Sequence, residues 1–147
     1  MKTLTKKFTG FSDQERAAMR ERAKELAAEG KAAKSRVQGE KDIFAAIAKM
    51  SEPDKSIAKK LHELITKAAP MLLPKTWYGF PAYADKDGNV ICFFQYAGKF
   101  KARYATLGFN DKAHLDDGNM WPVAFALKKL SSVEEAKIIA LVKKAVK

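Results

Sequence analysis

The chain has 147 residues, 47% of them hydrophobic, with 28 Lys plus Arg against 17 Asp plus Glu, a formal charge of +11. That length suits one domain with a single core, and that apolar share excludes a chain disordered throughout. Cys92 is the one cysteine, which excludes an internal disulfide framework.

The surplus of cations favours phosphates, acidic partners or anionic surfaces over roughly 8 Å in physiological salt, or serves solubility alone. The opening MKTLTKKFTGFSDQ carries basic residues with no apolar run behind them, which reads against a secretory signal. No segment approaches the length of a membrane span. The expectation is a cytoplasmic protein.

Residues 1–40 read as an N-terminal helical arm and linker, and residues 41–147 as an α+β domain. Ser12 followed by Glu15 is a capping box, and helix formers continue to about Lys34. The apolar stripe of this arm is thin, essentially Met19, Ala23 and Leu26, and Gly39 with its neighbours reads as the linker. DIFAAIAKM then predicts a short helix with Ile43, Phe44 and Ile47 on one side. The next helix is expected to start at Ser51 with Pro53 in its first turn, and to end at Pro70. Its buried stripe is Ile57, Leu61, Leu64, Ile65 and Ala68, with His62 on the shoulder in a boundary or capping role rather than a catalytic one.

The middle of the chain is strand-like. TWYGFPAYA predicts one strand kinked at Gly79 and Pro81, because proline cannot donate to a ladder and so needs an edge or a bulge. Alternation would place Trp77 and Tyr83 on one side and Tyr78 and Phe80 on the other. One set would enter the core while the other walls a ligand groove, so Trp77, Tyr78, Phe80 and Tyr83 are the groove candidates; packing alone is the equal alternative, since buried aromatics are core material first. DKDGN is a hairpin turn, VICFFQY a central strand with Cys92 as inert core packing, and FKARYATLGF the strand after it. WPVAFALKKL supplies a further strand. The final helix has a capping box at Ser131 and Glu134 and an apolar face of Ile138, Leu141, Val142, Ala145 and Val146. Helices, a meander of four to five antiparallel strands and a closing helix give an α+β fold with helices on one face of the sheet.

No nucleophile, paired-carboxylate or phosphate-loop motif is recognisable, so the expectation is a protein that is not an enzyme. Two sets of polar residues stand out. Strand alternation would line up Lys99, Lys101 and Arg103 on one sheet face, where they would hold an anion; a solvated face is the plainer alternative. Asp111, His114, Asp116 and Asp117 gather oxygen ligands and an imidazole in one loop, which would suit Fe(II) or another divalent ion; the alternative is a helix cap and a turn.

The stretch APMLLPKTWYGFPAY, followed by ICFFQYAGKFKARYATLGF, resembles the YdhG-like family, catalogued as a domain of unknown function. The resemblance covers roughly residues 42–146, and its most specific piece is Tyr78 to Tyr83. It implies a compact α+β domain grouped with frataxin-like proteins. One branch is an intracellular iron chaperone for iron–sulfur cluster assembly, which implies Fe(II) and an iron–sulfur assembly protein as partner. It carries no ligand set onto numbered positions here. Three functions are therefore expected: a non-catalytic binding domain of this family, a module binding an anion or nucleic acid through a basic sheet face, and an enzyme using the aromatic groove.

Overall fold

The structure, a computed structural model, describes residues 12–147, so the reading of the first residues lies outside it. Helix α1 runs from Asp13 to Ala48. Its start is the expected capping box: Ser12 N donates to Glu15 Oε1 at 2.8 Å and Glu15 N donates to Ser12 Oγ at 3.1 Å. Contacts divide the chain between Lys34 and Ser35, and the core described below belongs to residues 35–147.

The expected linker at Gly39 and the separate helix after it are corrected, because α1 continues through both. Glycine costs a helix interior about 1 kcal/mol relative to alanine. Here the residue is needed, since a Cβ on Gly39 would overlap the carbonyl of Pro74. Arg36 reinforces the same contact by donating to the carbonyls of Pro70 at 2.8 Å and Leu72 at 3.1 Å. Ile43 and Ile47 then enter the core, whereas Phe44 stays 51% exposed. Its ring stands edge-on to His62 at 5.1 Å.

Helix α2 spans Asp54–Ala68 and buries Ile57, Ala58, Leu61, His62 and Ile65. It starts later than expected, with Pro53 rather than Ser51 at the cap position. Asp54 is buried because its two carboxylate oxygens accept from the backbone N–H groups of Ala97 at 3.1 Å and Gly98 at 2.9 Å. A short 3-10 turn, Ala97–Lys99, is held there. Helix α3, Ser132–Ala145, has the predicted capping box and buries Ile138, Val142 and Ala145. The Ser131 hydrogen bonds hold the Glu134 carboxyl below its ordinary range.

Five strands form one antiparallel sheet in the order β1-β2-β3-β4-β5. They are β1 (Leu73–Trp77), β2 (Phe80–Ala84), β3 (Val90–Gln95), β4 (Ala105–Phe109) and β5 (Ala124–Leu127). Ile43, Ile47, Leu61, Ile65, Ile138 and Val142 from the helices pack with Tyr83, Cys92, Phe94, Leu107 and Leu127 in one core cluster. Each such large side chain contributes about 1.5–3 kcal/mol by leaving water. Cys92 is part of this cluster, and burial pushes its thiol up to about 12. The fold is α+β, with the helices covering one face of the sheet.

The stretch TWYGFPAYA is not one kinked strand. Trp77 pairs with Phe80 and Thr76 with Pro81, so Tyr78 and Gly79 form a two-residue hairpin turn. Their φ values of 50° and 82° are the pattern of a type I′ turn, which matches the right-handed twist of the strands. Pro81 therefore lies in an inner strand. The pair that closes a two-residue hairpin is hydrogen-bonded, and pairs alternate, so position 81 directs its missing donor away from β1. On that side the pairing with β3 begins only at Ala82 and Phe93, and the register shift falls at Tyr83 and Ala84. The turn DKDGN is as expected: Asp85 accepts from Asp87 N and Asn89 N, both at 2.9 Å, and Gly88 has φ 86°.

The close approach at Gly39 gives a direct test. Gly39→Ala should lower unfolding stability in urea by more than about 1–3 kcal/mol, because a backbone carbonyl cannot rotate aside. Gly30→Ala, with nothing within 4 Å of the added Cβ, should instead be neutral or gain up to about 1 kcal/mol.

Candidate functional site

With the helices on one face, the other face of the sheet shows what the register places there. Trp77 and Phe80 are a cross-strand pair, and Ala82, two residues on, pairs with Phe93. These side chains form an aromatic sheet surface: Trp77 lies 5.8 Å from Phe80 and 5.2 Å from Phe93, and Phe80 lies 5.6 Å from Phe93. The Phe93 ring is laid down over Gly108, its register partner in β4. A Cβ at Gly108 would overlap the ring, so this glycine is what allows it to lie close to the sheet.

An open depression of about 540 Å³ is lined by Trp77, Tyr78, Phe80, Phe93, Gln95, Lys99 and Phe100. Tyr78, 74% exposed, and Phe100, 62% exposed, stand at its rim. Tyr78 is also 4.9 Å from Trp77. The Lys99 ammonium lies 6.0 Å from the Phe80 and Tyr96 ring centroids and 5.8 Å from that of Phe100. A cation near ring faces is attracted by their quadrupoles, by about 0.5–1 kcal/mol where exposed. No salt bridge among the described residues involves Lys99. The Asp54 clamp on Ala97 and Gly98 holds the turn that carries this lysine.

Three of the four groove candidates, Trp77, Tyr78 and Phe80, are thus brought together, although the expected pairing of faces is corrected. Tyr83 goes to the opposite, helix-covered face. Its hydroxyl lies 2.9 Å from His62 Nδ1, and His62 Nε2 lies 3.1 Å from Glu40 Oε2. The tautomer in which Nε2–H donates to the Glu40 carboxylate and the Tyr83 hydroxyl donates to Nδ1 satisfies every group. Burial, then Cys92 and Glu40, push the Tyr83 hydroxyl pKa well above its ordinary value. His62 is a core residue of this chain, not a boundary one.

The cation stripe is corrected. Lys99 is in the 3-10 turn, Lys101 has φ 53° in the connection beyond it, and β4 starts only at Ala105. The Arg103 guanidinium lies 5.0 Å over the Tyr104 ring. Asp54 is the reason, since its hold on the turn ends β3 in a loop where alternation does not apply. The metal candidates are corrected too. Ala113 and Leu115 are buried, which leaves His114 exposed, as are Asp111, Asp116 and Asp117. No three carboxylate, imidazole or thiol groups among the described residues come within reach of one ion. Gly118 at φ 65° makes the alternative turn.

Reasoning from the sequence missed Phe93, Gln95 and Phe100 as lining residues. The signal for Phe93 was its place between Cys92 and Phe94, which are core, with the polar Gln95 two residues on. Another groove, between β4, β5 and α3, is walled by Leu107, Phe125, Leu127, Ile138 and Leu141, and continues the core. No family model, curated protein or solved structure matches the chain. No helix among the described residues is long and apolar enough to cross a membrane.

Two variants separate structure from site. Tyr83→Phe removes the donor to His62 and should cost about 1–3 kcal/mol in denaturant unfolding, because a buried acceptor is left unpaired. Tyr78→Asn should behave oppositely. A tyrosine at positive φ stores about 1–2 kcal/mol that asparagine relieves in part, so its midpoint of thermal unfolding should rise.

Proposed function

We propose that this chain is a non-catalytic binding module of the cytoplasm whose site is the aromatic depression on the open face of the sheet. Its ligand is a planar ring carrying an anionic group, of the nucleotide type. The Lys99 ammonium above a floor of aromatic rings is the observation that carries this reading. Trp77, Phe80 and Phe93 supply an apolar floor, while Tyr78 and Phe100 offer exposed ring faces for stacking. A base stacked on an aromatic side chain gains about 1–3 kcal/mol, whichever base it is. Lys99 adds a charge-assisted partner for phosphate beside the stack, and the net charge of +11 raises the local concentration of anions. Sheets with helices on one face and aromatic residues on the other are a recurring platform for unstacked bases.

The test is titration with adenosine 5′-monophosphate, followed by the indole N–H resonances of Trp77 and Trp121. A saturable shift at Trp77 is expected with Trp121 unmoved. Lys99→Ala should weaken binding about 5-fold or more, and adenosine without phosphate should bind more weakly than the nucleotide. An unmoved Trp77 resonance at millimolar nucleotide would overturn the reading.

A further inference from the structure

All the loops beside the aromatic depression leave the sheet at one end. The Tyr78–Gly79 turn, the β3–β4 connection and the end of β5 meet there by register, since Gln95 pairs with Thr106 and Ala105 with Leu127. That end carries Lys99, Lys101, Arg103, Lys128 and Lys129, and none of the salt bridges among the described residues involves any of them. A second depression, of about 490 Å³, opens at this end. Arg103, Tyr104, Ala126, Lys128 and Lys129 line it on the sheet side, and the buried Leu127 with Ser131 and Glu134 closes it at the β5 edge. Glu134 is its one carboxylate, and accepts from Ser131 N at 2.7 Å and Oγ at 2.6 Å within the cap of α3.

The two depressions are joined by a row of the sheet. Gln95 lines the first and Ala126 the second, and Thr106 pairs with both. Side chains paired across neighbouring strands share a face, so these three lie in line on the open face. Two strand spacings of about 4.8 Å separate the ends of the row, roughly 10 Å. That is about three nucleotides at the ~3.4 Å rise of a stacked strand. The small side chains of Thr106 and Ala126 leave the path between the depressions low. At its far end an Arg–Tyr stack stands beside two exposed lysines, a second aromatic and cationic step like the first.

We infer that the open face binds single-stranded nucleic acid, with one base in the Trp77 depression and the strand crossing Thr106 to the Arg103, Lys128 and Lys129 step. This rests on the nucleotide-site reading above and extends it from one ring to a strand. A duplex hides its base faces, whereas a single strand presents one base to each stacking step while the cations follow its phosphates.

The experiment is fluorescence anisotropy of the whole chain with labelled oligo(dT) and oligo(U) of one, three, six and nine nucleotides. Affinity should rise at least 10-fold between one and six nucleotides and then level. Each cation that neutralises a phosphate should contribute about −0.7 to the slope of log affinity against log salt, so Lys128→Ser with Lys129→Ser should flatten it by about 1.4. Thr106→Asp, in the middle of the row, should lower affinity for six nucleotides by a larger factor than that for adenosine 5′-monophosphate. Preference between the oligo(dT) and oligo(U) arms names the nucleic acid. If the mononucleotide binds and longer oligomers gain nothing, the strand path is wrong and the nucleotide site stands. If oligomers bind with no response at Trp77, both fail. Equal binding of a duplex, or of poly-glutamate of matched charge, would show a charged surface only and overturn the inference.

Discussion

The two-residue turn at Tyr78 and Gly79 is the constraint on which the rest of the structure depends. Side chains alternate along a strand, so the residue at which the chain reverses decides which aromatic rings face the helices and which face away. With Trp77 opposite Phe80, the hairpin sends Tyr83 inward to His62 and leaves Trp77 and Phe80 on the open face. A slip of one residue would invert that assignment, removing the tyrosine hydroxyl from the core and the ring floor from the surface together.

Other parts hold this register from both sides. Gly39 lets α1 lie against Pro74 in β1, and Arg36 ties the same helix to the approach of that strand. The chain of Glu40, His62 and Tyr83 links α1, α2 and β2 through two hydrogen bonds in the core. Asp54 does comparable work at the first residue of α2, where it fixes the turn carrying Lys99. Helix positions chosen for stability thus locate both the rings and the cation of the proposed site. The turn itself runs counter to backbone preference, since a tyrosine at positive φ is disfavoured. In that position its ring is brought to the rim of the depression.

Much of the fold was legible because local rules had no competitor. The capping boxes at Ser12 and Ser131, the turn at Asp85–Asn89 and the apolar stripe of α2 all follow from residues a few positions apart. The site was legible in part. The aromatic density at Trp77, Tyr78 and Phe80 marked the right segment, but Phe93 and Phe100 come from elements that only the sheet brings near. The misreadings share a cause. Gly39 looked like a linker, Lys99, Lys101 and Arg103 looked like a strand face, and Asp111 to Asp117 looked like a ligand cluster. In the first two cases a distant partner decided the outcome, the carbonyl of Pro74 and the carboxylate of Asp54, and in the third the burial of Ala113 and Leu115 between the polar residues did.

By itself the sequence determined the α+β class, most of the helix and strand segments, the positive charge and the absence of an internal disulfide among these residues, because periodicity, capping and composition act over one or two turns of chain. Only the tertiary structure decided that the aromatic ribbon is a hairpin, that Tyr83 belongs to the core, and that a lysine from another loop sits over the remaining rings. Those outcomes depend on register and on contacts between residues tens of positions apart. The free energy that selects them is the packing of a second element, which no single stretch of sequence contains.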